Sequence, residues 1–302
     1  MYWLAIASFA SFVAAGRPKD ISCPVVFDGR VPRSVDGRSF ANGTLPFNKD
    51  YVLGANLTWA DALAFPSSSK SALFDNSTSK PVEVTIDDRS IFTPSPTNRQ
   101  TGFRRAELQP QPANANDSVT GVKTFHFSVK TDDRLPLNYT HEYMLVWLEN
   151  SEYSANQFAI STGKFFDSNS TSAEEAQSLY LVGNNAAGPM PPLWKTPFTK
   201  GVWHNFGVVL DFASNRVEVL YSKGDAQLKR KTGFLANDLT KLGQYHVGAL
   251  KKPTGPGGID VTKEGFQEAG IREGVIYGGV FIEDSSSGCV SVAKGVKGRT
   301  TR

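Results

Sequence analysis

The chain has 302 residues, 40% of them hydrophobic and 20% charged, with a formal net charge of +3. That length supports one large core or two small ones. Positive charges are interspersed with negative ones and form no block interleaved with aromatic residues before the short tail 294–302, which argues against a nucleic-acid partner.

Residues 1–16, MYWLAIASFASFVAAG, form a short apolar run ending in small residues. The run is too short to span a bilayer and reads as a secretory signal peptide, although no basic residue precedes it. No other run is long and apolar enough for a membrane helix. The expectation is a secreted, extracellular, monomeric protein without a membrane partner. It divides into a leader at 1–16, a single domain at 17–290 and a basic C-terminal tail at 291–302. Six glycosylation sequons agree with secretion: Asn42, Asn56, Asn76, Asn116, Asn138 and Asn169. The two cysteines, Cys23 and Cys289, lie near opposite ends of the mature chain. In an oxidising compartment they are expected to form a disulfide that ties the first strand to the last. No Cys/His cluster has metal-ligand spacing, so no metal and no cofactor are expected.

Beyond the leader nearly every segment reads as strand plus turn, rich in Thr, Val, Phe and Tyr and punctuated by Gly and Pro. Strands are predicted at 25–27, 82–86, 104–109, 123–130, 143–149, 157–161, 179–182, 203–212, 216–222, 244–250 and 274–282. Short helical pieces are predicted at 59–62, 173–177 and 264–269. No repeat or linker divides the chain. The pattern predicts an all-β domain: a jelly roll or β-sandwich of two antiparallel sheets with a concave carbohydrate cleft.

Side-chain alternation assigns faces to the informative strands. In TGFRRAELQP (101–110), Phe103, Arg105, Glu107 and Gln109 share one face. From this strand alone a surface ion pair between Arg105 and Glu107 is the simpler reading. In KTFHFSVK (123–130), Phe125, Phe127 and Val129 form the apolar face. His126, on the polar face, is a candidate cleft residue, and a solvated outer-face histidine fits the same pattern. In HEYMLVWLE (141–149), Glu142, Met144, Val146 and Leu148 read as a core face. His141, Tyr143, Leu145, Trp147 and Glu149 form a mixed face of aromatic and ionisable groups, as sugar clefts use. One bulge would exchange these faces. WHNFGVVLDF (203–212) and RVEVLYS (216–222) read as a structural hairpin, with His204 a packing residue. In QYHVGALKKP (244–253), Tyr245, Val247, Ala249 and Lys251 alternate with His246, Gly248, Leu250 and Lys252. A glycine on a cleft face lets a ligand approach the backbone, and His246 is the most promising histidine.

Two carboxyls on neighbouring concave strands are the minimum for glycoside hydrolysis, one protonated to assist the leaving oxygen and one ionised to activate water. Arg105 beside Glu107 would keep that group ionised, making Glu107 the base and Glu149 the acid.

The chain resembles glycoside hydrolase family 131, a fungal secreted β-glucanase family, from about Val25 to Val290. The resemblance is carried by GFRRAEL (102–108), TGVKTFHFSVK (120–130), LNYTHEYMLVWLENSEYSANQFAISTG (137–163), LWKTPF (193–198), VWHNFGVVLDF (202–212), GQYHVGALKKPTG (243–255) and GFQEAGIREGVIYGGVFIEDS (265–285). It implies a jelly roll acting on β-1,3-, β-1,6- and β-1,4-linked glucans with inversion and without a metal. The family's two catalytic glutamates match Glu107 and a residue of the 141–149 strand, Glu149 by face parity and Glu142 as the fallback. Arg105, His126, His141, Tyr143, Trp147, His246 and Lys252 are the expected substrate-binding residues. A more distant likeness, through Arg105–Leu108, is to jelly-roll lyases of the alginate-lyase type. Glu149 stands where those carry a His, which speaks against β-elimination. The alternatives are therefore a polysaccharide lyase, or a carbohydrate-binding wall protein with no turnover.

Overall fold

The computed structural model describes residues 21–66, 70–166, 172–188 and 191–293. The leader, the sequon at Asn169 and the tail from residue 294 lie outside them. Among the described residues the chain builds two facing antiparallel sheets. The larger has nine strands and runs Lys229–Arg230, Arg216–Lys223, His204–Asp211, Val122–Thr131, Arg272–Asp284, Val82–Asp87, Leu63–Ala64; Val25–Asp28 also pairs with Arg272–Asp284, and Leu235–Ala236 with Arg216–Lys223. The smaller has six and runs Trp194–Pro197, Ser178–Val182, Asn156–Gly163, Glu142–Asn150, Gly243–Lys251, Arg104–Leu108. This is the expected all-β jelly-roll sandwich.

Alternation drives the packing. Phe125, Phe127 and Val129 from the larger sheet meet Ala106, Leu108, Tyr245, Val247 and Ala249 from the smaller one in a single buried core. A side chain in that layer loses nearly all contact with water, worth roughly 1.5–3 kcal/mol for each large apolar group. The first and last main strands pair directly, Val25 opposite Glu283, and Cys23 is disulfide-bonded to Cys289 with their Cα atoms 5.8 Å apart. Closing a loop of 266 residues, the bridge removes much of the freedom of the unfolded chain. His204 packs inside the sandwich as expected, its Nδ1 2.7 Å from the Tyr221 hydroxyl and its ring edge-on to Phe198.

The predicted helices at 59–62 and 173–177 form as Trp59–Ala62 and Ala173–Ala176. The one at 264–269 does not. Gly265 and Gly270 take positive φ of 103° and 78°, which an α-helix excludes, and Phe266 instead bridges to Thr254. Asn42, Asn56 and Asn116 are exposed, whereas the Asn138 amide donates to Glu268 at 2.8 Å.

Glu83, on the strand Val82–Asp87, is buried away from the core face. Burial first, and the Asp132 carboxylate beside it second, push its carboxyl from 4.5 up to about 7. Between those values the unfolded chain has released the proton and the folded chain still holds it, so stability falls as pH rises and then levels off. Glu83→Gln is expected to flatten that decline and to be more stable than the wild type at pH 8. Denaturant unfolding at pH 5 and pH 8 checks this, and an unchanged decline would assign it to another group.

Candidate active site

The strand Arg104–Leu108 turns Ala106 and Leu108 into the core, which leaves Arg105 and Glu107 together on the outer face of the smaller sheet. The guanidinium grips the carboxylate with two parallel bonds, Nε to Oε1 at 2.6 Å and Nη2 to Oε2 at 2.8 Å. On the neighbouring strand Gly243–Lys251, His246 alternates outward and its Nδ1 lies 3.0 Å from Glu107 Oε2. Gly248 stands opposite Glu107. A Cβ there would come within 2.2 Å of the Ala106 carbonyl oxygen. The glycine expected to admit a ligand instead admits the adjacent strand, which brings His246 within reach of Glu107.

The third strand, Glu142–Asn150, carries an irregularity at Leu145. Against Asn156–Gly163 the register jumps from Met144 opposite Ser161 to Val146 opposite Ile160. Tyr143, Leu145, Val146 and Leu148 all enter the core, while Met144 and Trp147 pack together on the outer face with Phe103, Ala159 and Leu250. The faces therefore exchange mid-strand, and the uniform parity expected over 141–149 holds only from Val146 onward. Trp147 lies flat on His246, centroids 4.7 Å apart and planes within 3°. Beyond it Glu149 places Oε2 3.5 Å from His246 Nε2.

Burial alone would raise the Glu107 carboxyl; the Arg105 guanidinium and the His246 bond outweigh it and hold it below the usual carboxylate range. Burial alone would lower the imidazole, and the bonds to Glu107 and Glu149 outweigh that and raise it. Glu107 is wholly buried, so it lies beneath the cleft floor, whereas the Glu149 side chain is 26% exposed. Above this row opens a cleft of about 600 Å³ onto which Arg105, Glu149 and His246 face.

Several lining residues were not foreseen. The backbone of Arg104–Leu108 bonds outward to Val52 and Ser90, Glu107 N to Val52 O at 2.9 Å and Arg105 N to Ser90 O at 2.7 Å. Those segments deliver Tyr51 and Phe92, whose rings meet edge to face at 5.9 Å, with Arg105 over Phe92. Tyr153, 66% exposed, rises from the turn after Glu142–Asn150 with a positive φ of 56°. Its turn is held by the Asn150 side chain, which accepts from the backbone of Glu152 and Ser154. Gln109 and Gln244 are bonded to each other at 2.5 Å, and Asn48 donates to Gln109 at 3.0 Å. Loop-borne aromatics have no periodicity to mark them, whereas Gln109 shares the predicted face of Arg105.

Arg105, Glu107, Trp147, Glu149 and His246 thus come together, but only Arg105, Glu149 and His246 face the cleft; Glu107 and Trp147, expected to look into it, are buried beneath it. Four proposed binding residues do not join them. His126 is on the outer face of the other sheet, sealed between Phe74 and Phe281, with Nε2 2.9 Å from Glu283 Oε1. His141 and Tyr143 belong to a network around buried Lys251: His141 Nε2 lies 2.9 Å from Glu268, the Tyr143 hydroxyl donates to Glu273 at 2.8 Å, and Lys251 bonds both carboxylates. Lys252 is ion-paired at 2.7 Å with Glu142, which also accepts from the Phe166 N–H. The Met144 and Trp147 cluster separates that pair from the cleft. Among the described residues no group of three or more His, Cys, Asp or Glu side chains is disposed to hold a metal ion.

An antiparallel sandwich whose smaller sheet carries a cleft with a carboxyl on its floor and aromatic rings and amides on its walls is the build of a polysaccharide-active jelly roll. The chain belongs to glycoside hydrolase family 131, since the profile of that family's catalytic N-terminal domain matches residues 25–288. It is similar to the crystal structure of a family 131 β-glucanase catalytic domain from Podospora anserina, with 19% identity, a TM-score of 0.68, and 89% of this chain and 98% of that one covered. The family 131 catalytic domain from Coprinopsis cinerea gives 20% identity, a TM-score of 0.66, and coverage of 90% and 98%. No curated protein sequence matches the chain.

Removing Arg105 would leave the sealed Glu107 charge with only an imidazole beside it. Arg105→Met is expected to cost about 3–5 kcal/mol in denaturant unfolding at pH 7, and Arg105→Met with Glu107→Met to recover most of that. If the single variant is as stable as the wild type, the pair is not the anchor described here.

Proposed function

We propose that this chain is a secreted β-glucan hydrolase, with Glu149 as general acid and Glu107 as its ionised partner on the basic side. The observation that carries the reading is the connected row Arg105, Glu107, His246, Glu149, of which Arg105, His246 and Glu149 line one cleft and Glu107 lies directly beneath them. Hydrolysis needs one carboxyl that stays charged and one that can give up a proton. Glu107 is tied into the charged form by Arg105 and His246, and Glu149 is the carboxyl open to the cleft. Arg105 and His246 roof Glu107, so a water must be admitted beside it before it acts as base. Glu142 is the weaker candidate, because Lys252 and the Phe166 N–H already engage it outside the cleft.

An imidazole stands between the two carboxyls. That spacing suits the wider gap of inverting enzymes, roughly 6.5–9.5 Å, over the roughly 5–5.5 Å of retaining ones. Tyr51, Phe92 and Tyr153 offer faces on which pyranose rings stack, and Gln109, Gln244 and Asn48 offer donors and acceptors for hydroxyls. These contacts read ring faces and hydroxyls rather than one linkage, consistent with action on β-1,3-, β-1,6- and β-1,4-linked glucans. The apolar leader, the sequons and the disulfide support an extracellular location.

Glu149→Gln is expected to lower kcat on β-glucan by about 10²–10⁴-fold and to regain much of it on aryl glucosides with activated leaving groups. Equal loss on both substrates would remove Glu149 from the acid role. Proton NMR of the first product should show the inverted anomer, and ultraviolet absorbance from an unsaturated product would mean elimination instead. Tyr51→Ala and Tyr153→Ala should raise KM with little change in kcat, as loss of uniform binding does; unchanged KM in both would mean the rings do not touch substrate.

A further inference from the structure

We propose that His246 stores the proton that Glu149 delivers, so that imidazole and carboxyl act as one acid anchored by Glu107. The proposal rests on the hydrolase reading and adds a positioning residue that the reading does not require.

Hydrogen-bond accounting leads to it. Both Glu107 oxygens accept from Arg105, and Oε2 also faces His246 Nδ1 at 3.0 Å. An ionised carboxylate only accepts, so Nδ1 carries its hydrogen. In a neutral imidazole that leaves a lone pair on Nε2. This atom is buried, has no hydrogen-bond partner among the described residues, and lies 3.5 Å from Glu149 Oε2. A lone pair facing a carboxylate oxygen gains nothing unless a proton lies between them. Trp147 stacked on one face of the ring holds it in this orientation, and Gly248 keeps the strands close enough to preserve the Nδ1 bond.

One proton therefore belongs to the Nε2 and Oε2 pair. On Nε2 it makes an imidazolium between two carboxylates. On Oε2 it makes a neutral acid that donates into the Nε2 lone pair. The charged groups facing the ring are Arg105 and Glu107 from one neighbouring strand and Glu149 from the other. Tyr277 lies beneath, its hydroxyl bonded to the Leu145 and Gly248 carbonyls. The raised imidazole agrees with a proton held there.

In the reaction the proton passes from Nε2 to Oε2 and on to the glycosidic oxygen, as the bond to the anomeric carbon breaks and its electron pair stays on that oxygen. The attacking water supplies hydroxide to the carbon and gives its own proton to the Glu107 carboxylate, which returns it to solvent through the water admitted beside it. Solvent reloads the pair through the exposed edge of Glu149.

His246→Asn tests this, because Asn can keep a donor at the Nδ1 position and removes Nε2. Initial rates across pH would be measured on a β-glucan oligosaccharide and on an aryl glucoside with an activated leaving group. The expected result is a kcat on the oligosaccharide lower by about tenfold or more at neutral pH, with KM within about twofold. The basic limb of the kcat profile should move to lower pH by about one unit, and the loss should shrink on the activated substrate. An unmoved basic limb, or equal loss on both substrates, would overturn the proposal. Nitrogen-15 NMR of the wild type is the second measurement, useful if the variant does not fold. Nδ1 should stay protonated while Nε2 titrates together with a neighbouring carboxyl, and an unprotonated Nδ1 would overturn the proposal. Absence of reducing-sugar release from β-glucan by the wild type would instead sink the hydrolase reading itself, and full activity in Glu149→Gln would remove Glu149 as its acid, whereas a normal loss there with an unmoved His246→Asn limb sinks only the proton store.

Discussion

The site is organised around a carboxylate sealed from solvent, Glu107. An isolated charge taken out of solvent costs several kcal/mol, so a buried Glu107 must be gripped or must neutralise. Arg105 grips it from one pleat away on the same strand, and His246 completes the shell from the next strand. Each partner is then constrained in turn. Arg105 is framed by Phe92 and Trp147 and donates to Gln100, and His246 is pressed against Trp147. The result is a rigid floor whose charge reaches the cleft only through Glu149 and the two groups that roof Glu107.

The second determinant is the irregularity at Leu145. A strictly alternating strand would carry Tyr143, Trp147 and Glu149 all to one face. By inserting a residue the strand keeps Tyr143 and Leu145 in the core, where Tyr143 closes the Lys251 network, and still turns Trp147 outward onto His246. Bulges of this kind re-aim side chains beside functional sites. Here one serves both the sandwich interior and the cleft, at the cost of making Glu142 and Glu149 share a face with an apolar cluster between them.

This explains what was legible in the sequence. Strands whose alternation is unbroken, Arg104–Leu108 and Gly243–Lys251, had their faces read correctly, and with them Arg105, Glu107 and His246. Glu149 was placed correctly because it lies beyond the irregularity, and His141 and Tyr143 were misplaced because they lie before it. His126 shows a different limit. Its strand has the expected polar face, but alternation cannot say which sheet a strand joins or whether a terminal segment covers it, and Phe74, Phe281 and Ser291 close over that side. Tyr51, Phe92 and Tyr153 reach the cleft from loops, whose positions follow from backbone bonds to a sheet edge and from an Asn150 turn rather than from any period. The cysteines were legible because a single pair leaves no other intramolecular partner.

The most direct measurement is a crystal structure of the Glu149→Gln variant soaked with a laminari-oligosaccharide. The account predicts sugar in the cleft between Tyr51 and Tyr153, a glycosidic oxygen within hydrogen-bond reach of residue 149, and the His246 and Trp147 stack unchanged. Sugar bound on the outer face of the larger sheet, or in the cleft with every glycosidic oxygen far from residue 149, would contradict it.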